Sequence, residues 1–135
     1  MSHIPVIQSL YAAFASGDAA IFLSAMSDDV SWEHWENNSA QHQAVPYMQA
    51  RRGKAGVGEF LASLSAIDLK SLEVLNLMEG GNQVAVTFRI EFDVKATGKR
   101  LRDEEIHLWT LDAQGRVLAL RHYIDTAKHI AANSG

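Results

Sequence analysis

Three stretches in the first half of the chain carry apolar residues at the 3.6-residue spacing of an amphipathic helix. They run from Ile4 to Ala15, from Ile21 to Met26 and from Lys54 to Leu64. Between the first two, Ser16-Gly17-Asp18 supplies a glycine stop followed by an N-cap residue. The segment from Asp29 to Trp35 alternates instead like a strand. The first half therefore predicts three helices and one strand.

In the second half the apolar residues recur with a period near two, which is typical of strands. Four such segments are separated by turn sequences: Leu69 to Met78, Gln83 to Ala96, Arg100 to Leu111, and Arg116 to Ile124. Asp125-Thr126 then reads as the N-cap of a short final helix. Helices ahead of an antiparallel meander predict an α+β fold.

Composition narrows the class of protein. The 135 residues are 47% hydrophobic and carry a net charge of -4. This length suits one domain spanning residues 1–135. The only basic cluster is Arg51, Arg52 and Lys54, so we expect no nucleic-acid partner. No stretch approaches the roughly 20 apolar residues that a membrane span needs. Cysteine is absent, which excludes disulfides and thiolate catalysis and fits a reducing cytoplasm, where we expect the protein to act.

Several local sequences together resemble one superfamily. They are the opening helix and its Gly17-Asp18 break, the lead into the third helix at Tyr47 to Gly53, and the closing segments Leu108 to Val117 and Arg121 to Ala127. Their order and spacing resemble the SnoaL-like branch of the ketosteroid isomerase and nuclear transport factor 2 superfamily. The resemblance implies a cone-shaped, curved, mixed or antiparallel sheet, wrapped by three N-terminal helices and a short C-terminal helix, as in a cystatin-like roll. This fold hosts isomerases, dehydratases, cyclases and proteins without catalysis.

The resemblance carries roles to few positions. Steroid isomerases of the superfamily use a tyrosine on the first helix, but Leu10 falls at that position and Tyr11 is displaced by one residue, or about 100° around a helix. Their base position on the first strand holds His34, and their second acid position holds His107. The last-strand aspartate of the related limonene epoxide hydrolases is replaced by His122.

Strand parity predicts which side chains face the interior, because alternate residues point to opposite sides of a sheet. Phe92 belongs to an apolar set that alternates with charged residues, so we expect it to face inward. Glu105, His107 and Trp109 share one face of the next strand. On the last strand we expect Leu120 and His122 to point inward with Leu118. On the first strand we expect Trp32 and His34 to do the same.

These faces predict a pocket for a small hydrophobic molecule. The candidate catalytic residues are His34 as base, with His107 or His122 as donor to a developing oxyanion, because imidazole exchanges protons near neutral pH. Candidate substrate contacts are Trp32, Trp109, Glu105 near the mouth, Phe92 and Leu120. The hypothesis is a cofactor-free isomerase, hydratase, dehydratase or cyclase.

Other readings stay open. A non-catalytic ligand-binding or dimerisation module would retain the same hollow, and a lone inward histidine is often a hydrogen-bonded core residue. Three histidines could also bind zinc, but they come from separate strands, so we expect no metal. We expect His129 to be solvated. The loop from Asn37 to Tyr47 should border the pocket mouth. A homodimer should form through an outer apolar face: Ile106, Leu108, Val117, Ala119 and Tyr123.

Overall fold

The structure is a computed structural model that describes residues 2–135. The helices are α1 (Ile4–Ser16), α2 (Ala19–Ser24), α3 (Ser39–His42), α4 (Gly53–Ser63) and α5 (Thr126–Ala132). The strands are β1 (Met26–Trp32), β2 (Arg51–Arg52), β3 (Ile67–Gly80), β4 (Gln83–Val94), β5 (Arg100–Leu111) and β6 (Val117–Tyr123).

The six strands form one curved, unclosed sheet in the order β2-β1-β6-β5-β4-β3. Neighbouring strands are antiparallel except β1 and β6, which are parallel. The mixed α+β fold predicted from the sequence is confirmed. No helix in the described part of the chain is long and apolar enough to cross a membrane.

The helix boundaries follow the stop and cap residues in the sequence. Gly17 ends α1 in the left-handed region at φ 71°, which costs glycine little because it has no Cβ. The Asp18 side chain accepts the backbone N–H of Ile21 and caps α2. Asp125 caps α5 in the same way, accepting the N–H of Lys128.

The polar stretch after β1 is more ordered than the sequence indicated. Asn38 caps the short helix α3 by accepting the N–H of Gln41, and a 3₁₀ turn follows at Pro46–Met48. Ala40, Val45 and Met48 are buried there, and α3 packs on α5. Three apolar residues among many polar ones give too weak a periodicity to predict this from sequence.

Two apolar clusters fill the interior. The first lies under α1, α2 and α4 and includes Trp32, Trp109 and Leu111. The second lies beneath α3 and α5 and includes Phe92 and Leu101. Along β5 the two clusters are separated by Glu105 and His107, so polar side chains lie between two apolar regions.

Strand parity predicted the buried face of β4 correctly and the buried face of part of β6 wrongly. Phe88, Phe92 and Val94 are buried on β4 as expected. On β6 the pairing with both β1 and β5 shifts register near Leu118. This irregularity makes Val117 fully buried and leaves Leu118 36% exposed, the reverse of the predicted faces. Val117 therefore does not belong to the outer apolar face.

Candidate active site

The centre of the site is a histidine held between two carboxylates. His122 Nδ1 lies 3.1 Å from Glu33 Oε1, and His122 Nε2 lies 2.8 Å from Glu105 Oε1. Glu33 and Glu105 are only 2% and 3% exposed. A carboxylate accepts hydrogen bonds, so both ring nitrogens must donate, and the ring is an imidazolium. Burial alone would lower the pKa of His122, but the charges and hydrogen bonds of Glu33 and Glu105 raise it to about 10.

Glu33 reaches His122 because the chain leaves the strand conformation just after β1. Trp32 is the last residue of β1 and pairs with Leu120 of β6. Glu33 then has φ 53°, in the left-handed region, a conformation that costs a residue with a Cβ about 1–2 kcal/mol. This left-handed conformation interrupts the alternation of side chains between the two faces of the sheet. Glu33 therefore points inward, where the sequence predicted His34.

The second oxygen of Glu105 begins another chain of hydrogen bonds. Glu105 Oε2 lies 2.6 Å from His129 Nε2, and His129 Nδ1 lies 2.9 Å from the Tyr47 hydroxyl. Asn133 Nδ2 donates to the Tyr47 oxygen, so the Tyr47 proton is free for His129 Nδ1. His129 donates its Nε2–H to Glu105. Burial would raise the pKa of Glu105, but His122 and His129 hold it well below its ordinary value.

A similar arrangement orients His107. The indole Nε1 of Trp109 donates to the Tyr11 oxygen over 3.1 Å, and the Tyr11 hydroxyl lies 2.6 Å from His107 Nδ1. Indole only donates, so the arrangement that pairs every proton has Tyr11 donating to Nδ1. His107 is then the tautomer with its proton on Nε2, and this nitrogen has no hydrogen-bond partner among residues 2–135. Burial raises the pKa of Tyr11, which keeps the phenol protonated.

His107 lies directly beside the imidazolium. The ring centroids of His107 and His122 are 4.3 Å apart, and Phe88 covers His107 at the same distance. Burial and the positive charge of His122 lower the pKa of His107 well below its ordinary value. The two adjacent histidines are therefore different at neutral pH, since His122 is charged and His107 is neutral.

A small apolar cavity lies next to His107. Its volume is about 40 Å³, enough for a water cluster or one functional group of a ligand. Aromatic and aliphatic side chains line it along with His107: Leu10, Tyr11, Phe14, Phe22, Trp32, Leu72, Trp109 and Leu120. The indole Nε1 of Trp32 is buried with no hydrogen-bond partner in the described chain. A buried donor of this kind normally has an acceptor.

The structure brings together only part of the predicted site. Trp32, Trp109, Leu120 and His107 line the cavity. His122 is adjacent, but both of its nitrogens are engaged by carboxylates. His34 is half-buried, is not part of the cavity lining, and its side chain makes no hydrogen bond to a residue in 2–135.

Other predicted contacts lie away from the cavity. Glu105 was expected near the mouth and is instead buried at the centre of the hydrogen-bonded network. Phe92 packs in the second apolar cluster. The segment from Asn37 to Tyr47 contributes no side chain to the cavity lining and packs over the second cluster through its buried members.

A metal does not fit the residues present. The closest ligand set is Asp103, Glu105 and His129, whose ligand atoms lie within 4.8 Å of one another. However, His129 Nε2 donates to the Glu105 carboxylate in this network, so that nitrogen has no free lone pair for a metal. Asp103 already accepts from Lys128 Nζ at 3.3 Å. Nor do the three predicted histidines form a ligand set, because His122 donates from both nitrogens.

Several residues of this network were not predicted from the sequence, among them Glu33, His129 and Tyr11. Glu33 gave no signal, because nothing in the sequence marks a non-glycine residue for the left-handed region. His129 was expected to be solvated, which is wrong, since it is 1% exposed. Tyr11 was not predicted as a site residue, because it is displaced by one residue from the superfamily's tyrosine position. Its spacing from Ile7 placed it on the inward stripe of α1, and that signal could have identified it.

With this geometry established, comparison with known families identifies the class of protein. Residues 7–120 match the SnoaL-like domain. The chain therefore belongs to the SnoaL-like family, within the superfamily that its sequence resembles. No curated protein matches the chain's sequence significantly.

Solved structures share the fold over nearly the whole chain. An NTF2-like protein from Burkholderia xenovorans LB400 is 22% identical to this chain and superimposes with a TM-score of 0.81. The match covers 98% of this chain and 95% of the Burkholderia protein. TerC, co-crystallized with polyporic acid, is 25% identical over 96% of each chain with a TM-score of 0.77. A third neighbour is SalBIII, an epoxide hydrolase/cyclase-like enzyme with a role in pyran ring formation in the polyether salinomycin. It is 16% identical, the match covers 93% of this chain and 92% of SalBIII, and the TM-score is 0.72. The fold is thus one that small-molecule enzymes use.

Proposed function

We propose that this protein binds a small, largely apolar molecule with a carbonyl oxygen and performs cofactor-free acid/base chemistry on it, such as isomerisation, hydration, dehydration or cyclisation. The observation that carries the proposal is the Tyr11–His107 hydrogen bond of 2.6 Å, which leaves the Nε2–H unpaired on a neutral imidazole whose residue lines an apolar cavity. A neutral imidazole in this position can polarise a carbonyl and stabilise the oxyanion that develops. We place this activity in the cytoplasm, which the absence of cysteine supports.

A second feature of the cavity supports a ligand that carries a hydrogen-bond acceptor. Trp32 lies in its wall and has a buried indole N–H without an acceptor. An unpaired buried donor costs about 1–3 kcal/mol. A ligand oxygen that accepted from this N–H would recover part of that free energy. Because the cavity holds one functional group, the aromatic lining would contact the carbonyl-bearing end of the molecule, and the apolar remainder would lie outside the cavity.

Two neighbours are compatible with this class of ligand. TerC was co-crystallized with polyporic acid, and SalBIII is an epoxide hydrolase/cyclase-like enzyme. These names describe those proteins. They support a small-molecule ligand for this chain and leave the particular substrate to experiment.

The competing function is a ligand-binding module without catalysis. It is favoured by the composition of the cavity wall, since no carboxylate of residues 2–135 lines it. The two functions differ in proton exchange. An enzyme of the proposed kind should accelerate the transfer of a proton from the carbon next to a bound carbonyl to water, because His107 would stabilise the enolate oxygen that forms, whereas a binding module should not.

The test uses a panel of cyclic and aryl ketones in D₂O. Binding is followed by the fluorescence of the tryptophans that line the cavity, and deuterium incorporation beside the carbonyl is followed by proton NMR. We expect at least one ketone to bind and exchange, and His107→Gln to reduce the exchange rate by about 10²- to 10⁴-fold. His42→Gln, on the exposed end of α3, is the matched control and should change neither quantity. Binding without exchange would select the module, and exchange unaffected by His107→Gln would refute the proposal.

A further inference from the structure

The second histidine of the site has a role that its hydrogen bonds define. His122 cannot donate to a ligand, because Glu33 and Glu105 occupy both of its ring nitrogens at 3.1 and 2.8 Å. It is nevertheless packed against His107, with ring centroids 4.3 Å apart. Only 12% of the His122 side chain is exposed, so solvent screens its charge weakly.

The groups around this charge come from four elements. Glu33 follows β1, Glu105 and His107 lie on β5, and Phe88 of β4 covers the pair of rings. One layer further out, His129 of α5 donates to Glu105, and Asp103 of β5 lies 3.8 Å from His129. The charged groups in direct contact with His122 are therefore two carboxylates, and the titratable group beside it on the cavity side is His107.

We propose that His122 is a positioning residue, an imidazolium fixed between Glu33 and Glu105 whose charge keeps His107 neutral and its Nε2–H available to the cavity. A second positive charge on His107 would lie within about 4 to 6 Å of the first, where like charges oppose each other strongly. The Tyr11 hydroxyl acts in the same direction from the other side, because it donates to the Nδ1 that protonation would have to occupy.

The strain at Glu33 fits this role. A non-glycine residue in the left-handed region is retained only where its surroundings compensate. Here the compensation is the hydrogen bond to His122, on the side opposite Glu105. With Glu105 alone, His122 would have one counterion and one unpaired N–H. With both, the imidazolium is fully paired and its orientation toward His107 is fixed.

The inference deepens the proposed function and rests on it for the catalytic consequence alone, because the charge states can be measured without ligand. The experiment is a pH titration of the free protein with ¹⁵N-labelled histidine side chains, observed through the ring nitrogens. In the wild type we expect His122 to give imidazolium shifts at every pH from 5 to 9. His107 should remain neutral with its proton on Nε2 over the same range.

Two variants test the charge of His122, one by removing a counterion and one by removing the imidazolium itself. Glu33→Gln removes one counterion, so the titration of His122 should move down by about one to three pH units. His122→Gln removes the neighbouring charge, so His107 should become protonated at a higher pH, by a shift of about the same size. His42→Gln is the control and should leave both titrations unchanged.

A His122 that loses its proton between pH 6 and 8 in the wild type would overturn the proposal. A His107 titration that is the same in the wild type and in His122→Gln would overturn it too. If His122→Gln does not fold, the wild-type titration and Glu33→Gln decide the matter. Should the ketone panel show no exchange while these titrations behave as expected, the proposed catalysis fails and the electrostatic role of His122 stands.

Discussion

Replacing Glu105 by Gln should destabilise the protein far more than the same change at its neighbour Glu104. The Glu105 carboxylate accepts from His122 at 2.8 Å and from His129 at 2.6 Å, and it is 3% exposed. An amide offers one acceptor oxygen and presents N–H groups to the other imidazole. Glu105→Gln would therefore leave a buried imidazolium with one counterion and a buried N–H facing a donor.

The size of the effect follows from burial. Removing one partner of a buried ion pair typically costs about 3–5 kcal/mol, out of a total stability of about 5–15 kcal/mol for a domain. Glu104 instead pairs with Arg89 across the exposed sheet face, where its side chain is 66% exposed. Such surface pairs contribute about 0–1 kcal/mol.

Urea unfolding at pH 7, followed by tryptophan fluorescence and by circular dichroism, measures both variants. We expect the free energy of unfolding to fall by about 3–5 kcal/mol for Glu105→Gln and by less than about 1 kcal/mol for Glu104→Gln. Equal losses for the two variants would show that the buried network does not stabilise the fold as its geometry requires.

Three further predictions concern pH, Tyr11 and assembly. Glu33 and Glu105 raise the pKa of His122 from its ordinary value of about 6.5 to about 10. Its stabilising contribution is therefore complete below about pH 6.5 and is lost as pH rises to about 10, and unfolding free energies that do not fall between about pH 7 and 9.5 would contradict this. Tyr11→Phe leaves Trp109 Nε1 and His107 Nδ1 unpaired and should cost about 1–3 kcal/mol, whereas the control Tyr123→Phe should stay within about 0.5 kcal/mol in the same urea titration. We expect a homodimer through the outer apolar face, which lacks the buried Val117 and keeps Ile106, Leu108, Ala119 and Tyr123. Sedimentation showing a monomer at micromolar concentration would refute it.

Most of the fold could be predicted from the sequence because hydrophobic periodicity, turn residues and helix caps indicated the same elements. On β4, charged and apolar residues alternate without ambiguity, so parity predicted the buried face correctly. On β6 both faces are partly apolar. A bulge near Leu118 could reverse them there without any change in the pattern.

The site was harder to predict because it depends on local departures from regular structure. The imidazole at His34 was expected inward on the assumption that β1 continued to Trp35. The strand ends at Trp32, and the left-handed Glu33 places a carboxylate where an imidazole was expected. The inward face of α5, which buries His129, has too few residues for its periodicity to be read from sequence.

The most direct test of the account is a crystal structure of the protein with the ketone that binds best in the panel. We predict the carbonyl oxygen within about 2.7–3.2 Å of His107 Nε2, with the Tyr11 hydroxyl still bonded to Nδ1 and the carbon atoms beside the carbonyl against Trp32 and Trp109. A carbonyl oxygen bound to His34, or a ligand seated in the cavity without a hydrogen bond to His107, would contradict the assignment of His107 as the donor.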